Sequence, residues 1–175
     1  MNKTVLLVVR VVCLIVVGCF FLSYFVISCS GAEVNISGME AAFGIDKGEI
    51  PLDAAPWLLL IPVIALVVLI ALTVPLAHEK LEGIKPQGGL SKSEILCVVG
   101  GIIGLILLAI AHNGAIGKVK AQLGGSDISK YYHTGLGFKT SVLGFIAILV
   151  MPFIGKLLLN RNISLGSSSS TEGET

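Results

Sequence analysis

Charge is what this sequence has least of. Lysine, arginine, aspartate and glutamate together make up 13% of its 175 residues, where an ordinary soluble domain carries about 25%. That deficit excludes a conventional water-soluble fold. The formal net charge is +1 and the pI is near 7.7, so there is no field to gather nucleic acid or an acidic substrate. Catalytic signatures are missing as well. There is no G-x-x-x-x-G-K-[ST], no G-x-S-x-G and no H-E-x-x-H, nor a pair of carboxylates on one helix face, which points away from an enzyme and from a bound cofactor. The long apolar runs hold no aspartate or glutamate. Proton-coupled transporters and pumps need an intramembrane ionisable group, so a self-contained active transporter is disfavoured. Of the four cysteines, Cys13 and Cys19 are six residues apart rather than in a C-x-x-C pair, which disfavours thiol redox chemistry.

What is present is apolar length. Hydrophobic residues reach 54% and the mean hydropathy is +0.94. A membrane-crossing helix needs roughly 17–25 mainly apolar residues. Four stretches qualify, at about 5–27, 56–77, 95–111 and 135–159. Arg10, Lys139 and Lys156 fall within about two turns of a span end, where long side chains reach the interface. The expected fold is an all-α membrane protein: a four-transmembrane-helix bundle over residues 1–159, with a small extracytoplasmic cap and a short β-hairpin as an option. Residues 160–175, with Ser167–Ser170, read as a disordered polar tail.

With the N-terminus inside, the inner segments hold Lys3, Arg10, Lys80, Lys85, Lys92, Lys156 and Arg161, against Lys47, Lys118, Lys120, Lys130 and Lys139 outside. The excess favours a multi-pass protein of the cell membrane with both termini cytoplasmic. In the first outer loop, Val34 and Ile36 alternate with polar neighbours after Ser30-Gly31 and suit a strand paired with the end of the first helix or its extension. Gly38 to Ile45 suits a short helix on the membrane surface. Pro56 fits a first helical turn and Trp57 an interfacial belt. The inner loop, 78–94, reads as a turn ending in a capping box, Ser91 with Glu94. Gly114 to Leu123 fits a short amphipathic helix, and Tyr131-Tyr132 an anchor for the last span.

Several residue groups invite sharper readings. Cys29, His112 and His133 all fall near the outer surface and are the candidate metal ligands, suited by type to zinc or copper; lone interfacial histidines are the ordinary alternative. Cys29 also has no second outer cysteine to pair with inside the chain, which leaves an intermolecular disulfide open in an oxidising compartment. Val26-Ile27-Ser28-Cys29 resembles a lipoprotein processing site, but the apolar segment before it exceeds the 7–15 residues of a signal peptide, so a retained helix is expected. Gly100 and Gly104 in the third span, and Gly137, Ser141 and Gly144 in the fourth, let helices approach closely. They serve packing within the bundle or a face for a partner helix. Pro62, Pro75 and Pro152 suggest kinks. Asn35-Ile36-Ser37 is a glycosylation pattern that is short and common by chance.

The stretch after the first helix, with Ser28, Cys29 and Gly31 followed by Ser37, Gly38, Ala42 and Gly44, resembles the corresponding loop of small, uncharacterised bacterial four-helix membrane proteins. Gly135-Leu-Gly-Phe138 at the start of the last span is similar to them too. The specific likeness covers about 25 residues. It implies a tetraspan fold in a bacterial inner membrane and carries no activity. The plan is also similar to that of claudins, by analogy only, since the long first loop with a tryptophan and paired cysteines is absent. The functional expectation is a non-enzymatic interaction or accessory subunit in the lipid bilayer, acting through its helix faces and cap on another membrane protein or on itself. The alternative is an oligomeric channel or passive transporter component.

Overall fold

The structure is a computed structural model that describes residues 3–29, 32–47, 50–52, 54–73, 91–122 and 132–166. It is mostly helical. The elements in chain order are helix α1 (Lys3–Cys19), strands β1 (Ser23–Cys29) and β2 (Ala32–Ser37), and helix α2 (Gly38–Phe43). Strands β3 (Ile45–Lys47) and β4 (Ile50–Leu52) follow, then a 3-10 turn (Pro56–Leu59) running into helix α3 (Leu60–Thr73). Helix α4 (Lys92–Gln122), strand β5 (Tyr132–Thr134) and helix α5 (Leu136–Gly166) complete the fold. Three helical segments are long and apolar enough to cross a membrane: Pro56–Thr73, Lys92–Gly117 and Leu136–Leu157. Helix α1, at 17 residues, is equally apolar but shorter.

The four long helices pack in a ring. Helix α1 lies against α3 and α5, and α4 lies against the same two. The chain runs up and down around it: Val5 near the start of α1 meets Gly155 late in α5, and Glu94 at the start of α4 meets Lys156 of α5. The interior holds one buried residue per turn or so from each helix, such as Val9, Cys13 and Val16 of α1, Ala65, Val68 and Leu72 of α3, Cys97 and Leu108 of α4, and Phe145 and Ile148 of α5. The opposite helix faces are apolar and exposed, with Leu7, Val11 and Leu14 on α1, Val63 and Val67 on α3, Ile102 and Ile106 on α4, and Leu143 and Val150 on α5. Apolar residues therefore occupy both the inside and the outside of the ring.

The first apolar segment differs from the helix over 5–27 that hydropathy alone suggests. Helix α1 stops at Cys19, tightening through i→i+3 bonds from Phe20 N–H to the Val17 carbonyl, Phe21 N–H to Gly18 and Leu22 N–H to Cys19. The chain then becomes strand. Tyr24, Phe25, Val26 and Ile27 are aromatic or β-branched, the types that fit a pleated, half-buried surface. Strand β1 is the centre of a three-stranded antiparallel sheet in the order β2-β1-β5. Its register sets Phe25 opposite Ile36 and Ile27 opposite Val34 on one side, and Phe25 opposite Thr134 and Ile27 opposite Tyr132 on the other. The strand expected around Val34 and Ile36 is thus present, and it does pair with the extension of the first helix. Phe25, Ile27, Ile36 and Tyr132 are buried on one face, while Glu33, Asn35 and His133 are exposed on the other.

Helix α2 carries its own N-terminal box. The Ser37 side chain accepts from Glu40 N–H at 3.2 Å, and Glu40 accepts from Ser37 N–H at 2.8 Å. The helix ends on Gly44, whose φ of 79° and ψ of 154° belong to a region that only glycine occupies without strain. Gly44→Ala is expected to destabilise the cap by about 1–3 kcal/mol, read by thermal unfolding of the full chain. The capping box at the start of α4 forms as expected, with Ser91 N–H donating to Glu94 at 2.8 Å and Glu94 N–H to Ser91 Oγ at 3.4 Å.

Two other boundaries move. Helix α4 continues unbroken through Gly114 and Gly117 to Gln122, so residues 114–122 extend that helix instead of forming a separate one. Nothing lies within 4 Å of a Cβ built on either glycine; there is no steric cause to break there. Helix α5 carries Pro152 inside it and runs on through Asn160 to Gly166, so the first part of the expected tail is helical. Gly31, Pro75, the turn at 78–90, Tyr131 and the serine run from Ser167 lie outside the described residues.

Candidate functional site

The sheet is fastened to the helices by a stack of rings. Tyr24 is fully buried and meets Phe20 edge-on with centroids 5.5 Å apart and Phe138 edge-on at 5.9 Å. Phe25 tilts against Tyr132 at 6.0 Å and against Phe138 at 6.1 Å. His112 of α4 closes the stack on Tyr132 and Phe138 at 5.7 and 5.6 Å. Offset and edge-on pairs of this kind each add about 0.5–1.5 kcal/mol beyond burial. Helices α4 and α5, the turn after α1 and the sheet therefore share one aromatic junction.

Polar contacts fix its register. The Tyr24 hydroxyl and Ser141 Oγ lie 2.8 Å apart in the interior. His112 Nδ1 and the Tyr132 hydroxyl are 3.2 Å apart, and burial pushes the Tyr132 phenol well above its usual range. Gly135 N–H donates to the Tyr24 carbonyl at 2.8 Å. Tyr24→Phe is expected to cost about 1 kcal/mol, because it strands the Ser141 hydroxyl in an apolar site. Tyr24→Phe with Ser141→Ala should recover part of that loss, since both partners are then removed. Chemical unfolding of the single and double variants checks this.

The loop-motif residues have structural roles here. Gly38 lies under Phe20: a Cβ there would stand 2.6 Å from the ring and 2.7 Å from the Phe20 carbonyl oxygen. Ser37 caps α2, Ala42 is buried beneath the cap, and Gly44 turns the chain out of the helix. Ser28 and Cys29 are in β1, Ser28 opposite Glu33 and Cys29 opposite Ala32. This motif builds the cap.

The small residues of the helices face their neighbours in the ring. Gly104 lies against the Phe145 ring, Gly144 against Val16 and Gly100 against Val68. At Gly137 a Cβ would come within 2.5 Å of the Cys19 carbonyl oxygen. Ser141 is the partner of Tyr24. These five residues therefore serve packing within the chain.

Of the candidate metal ligands Cys29, His112 and His133, the Cys29 side chain lies outside the described ones. His112 faces the aromatic stack, and His133 sits opposite Val26 on the exposed face of the sheet. Among the described residues no group of three or more histidine, cysteine or acidic side chains has the geometry to hold a metal ion. Cys13, Cys19 and Cys97 are buried free thiols.

The end opposite the cap holds two contacts that the linear sequence did not disclose. Glu94, almost fully buried, pairs with half-exposed Lys156 at 3.8 Å; only the antiparallel packing of α4 on α5 reveals them as partners. Arg10 reaches from α1 to α3 and donates through Nη2 to the Leu72 carbonyl. Its Nε is buried without a partner among the described residues. No protein-family model, curated protein or solved structure matches this chain.

Proposed function

We propose that the chain is a four-span membrane protein, with α1 as its first span and both termini on the cytoplasmic side, that works as a non-enzymatic interaction or accessory subunit. The observation that carries this reading is a filled ring beneath a fastened cap. Glycines and large side chains interlock across the ring, as Gly104 does with Phe145 and Gly100 with Val68. Two polar pairs, Tyr24 with Ser141 and Glu94 with Lys156, join neighbouring elements of it. Close packing among the described residues favours the outward surfaces as the working parts. Those are the apolar helix faces, suited to lipid or a partner helix, and the polar face of the cap with Glu33, Asn35 and His133.

Flux assays on liposomes containing the purified protein alone test this. No flux of ions or small solutes above that of protein-free vesicles is expected. Flux that depends on protein concentration would overturn the reading in favour of an oligomeric channel or passive transporter component.

A further inference from the structure

We propose that Arg10, with Lys3, binds the phosphodiester of an anionic phospholipid at the seam between α1 and α3, at the end opposite the cap. The inference rests on the reading above that α1 lies in a bilayer. Arg10 is seven residues beyond the start of α1, roughly 10 Å along its axis, between apolar neighbours Leu7, Val11 and Leu14 that are exposed on the helix surface. A cation at that position in hydrocarbon needs compensation. The structure supplies part of it: Nη2 donates to the Leu72 carbonyl. Among the described residues the inner edge of the guanidinium, Nε, is buried without a partner, and no carboxylate forms an ion pair with Arg10. The half-buried side chain is thus held in place by α3, with no anionic partner among the described residues.

Charge and geometry select the occupant. A guanidinium is a planar fork of donors that matches the oxygens of a phosphate, and Nη1 and the second proton of Nη2 remain for it. Lys3 is exposed and seven residues earlier, which returns it to nearly the same face of α1, two turns nearer the helix start. Two cations along one seam, one anchored and one exposed, favour a lipid of net negative charge over a zwitterionic one. Basic sites between membrane helices hold anionic headgroups in this way, with the acyl chains lying against the apolar surface of α1 and α3.

The test uses the full chain, delipidated in detergent and titrated with phosphatidylglycerol, phosphatidylcholine or inorganic phosphate, with bound adducts counted by native mass spectrometry. Phosphatidylglycerol is expected to bind in preference to phosphatidylcholine, and Arg10→Gln to weaken it about tenfold, a loss in keeping with one charge-assisted pair. Lys3→Gln, at an exposed position outside the packed ring, should weaken it about threefold and decides the matter alone if Arg10→Gln fails to fold. Lys139→Gln, exposed at the cap end, serves as the unaffected control. Unchanged binding in the variants, or displacement of the lipid by equimolar inorganic phosphate, would overturn the proposal. A chain that stays soluble without detergent and carries no lipid at all would instead overturn the membrane reading beneath it.

Discussion

Gly104→Leu is expected to destabilise the folded chain by about 3 kcal/mol, the upper part of the range for overpacking a close-packed interior. The reason is local. A Cβ at this position already falls on the Phe145 ring, and Phe145 is fully buried at the centre of the helix ring. Phe145 cannot swing away without displacing its neighbours, because α5 is also held to α1 where Gly144 meets Val16. Relief should come from the partner. Gly104→Ala with Phe145→Leu is expected to be more stable than Gly104→Ala alone, a non-additive pair of the kind that contacting residues show. Thermal unfolding in detergent reads both. If Gly104→Leu unfolds like the parent chain, the contact between α4 and α5 is not the one described.

Leu14→Asp separates a lipid-facing α1 from a water-facing one. Leu14 is 58% exposed, so the substitution disturbs little packing. In water such a surface change is worth within about 0.5 kcal/mol. At the centre of a membrane helix an aspartate costs about 2.5–3.5 kcal/mol, enough to lower insertion markedly. Loss of membrane-integrated protein is the expected result, scored by carbonate extraction. A parallel Glu33→Lys change on the exposed face of β2 should leave insertion unaffected.

Those two positions also show how far the sequence could be read. Apolar length marked out the membrane-length helices after Pro56, and the Ser91–Glu94 spacing marked where α4 begins, because both signals are local. The end of α1 was hidden by the same property that revealed the spans. Hydropathy runs on through Phe20–Ile27, and only the appearance of aromatic residues sets that stretch apart from the valine-rich helix before it. The glycines announced close approach but not its direction. Gly100 and Gly104 are one turn apart, yet Gly100 meets α3 and Gly104 meets α5, since each lies toward a different neighbour of α4 in the ring. Sequence spacing held no sign that His112 and Tyr132 touch, because the contact depends on β5 joining β1. The Ser37–Glu40 box, by contrast, was present in the same S-x-x-E form as Ser91–Glu94 and could have been read.

The cap thus emerges as a rigid extension of the helices. It is pinned by Tyr24, Phe25, Tyr132 and Phe138, with the loop-motif residues spent on building it. What it presents outward is a small polar sheet face, and what the helices present is an apolar surface. Both surfaces are suited to contact with another molecule.

Native mass spectrometry of the tagged chain, extracted gently from its own membranes, tests the central claim most directly. A stoichiometric second polypeptide, retained by the parent chain and lost on disrupting the cap with Gly44→Ala or the polar sheet face with Glu33→Lys, is the expected result. A homo-oligomer with no second polypeptide, able to carry ions or solutes across liposomes, would contradict it.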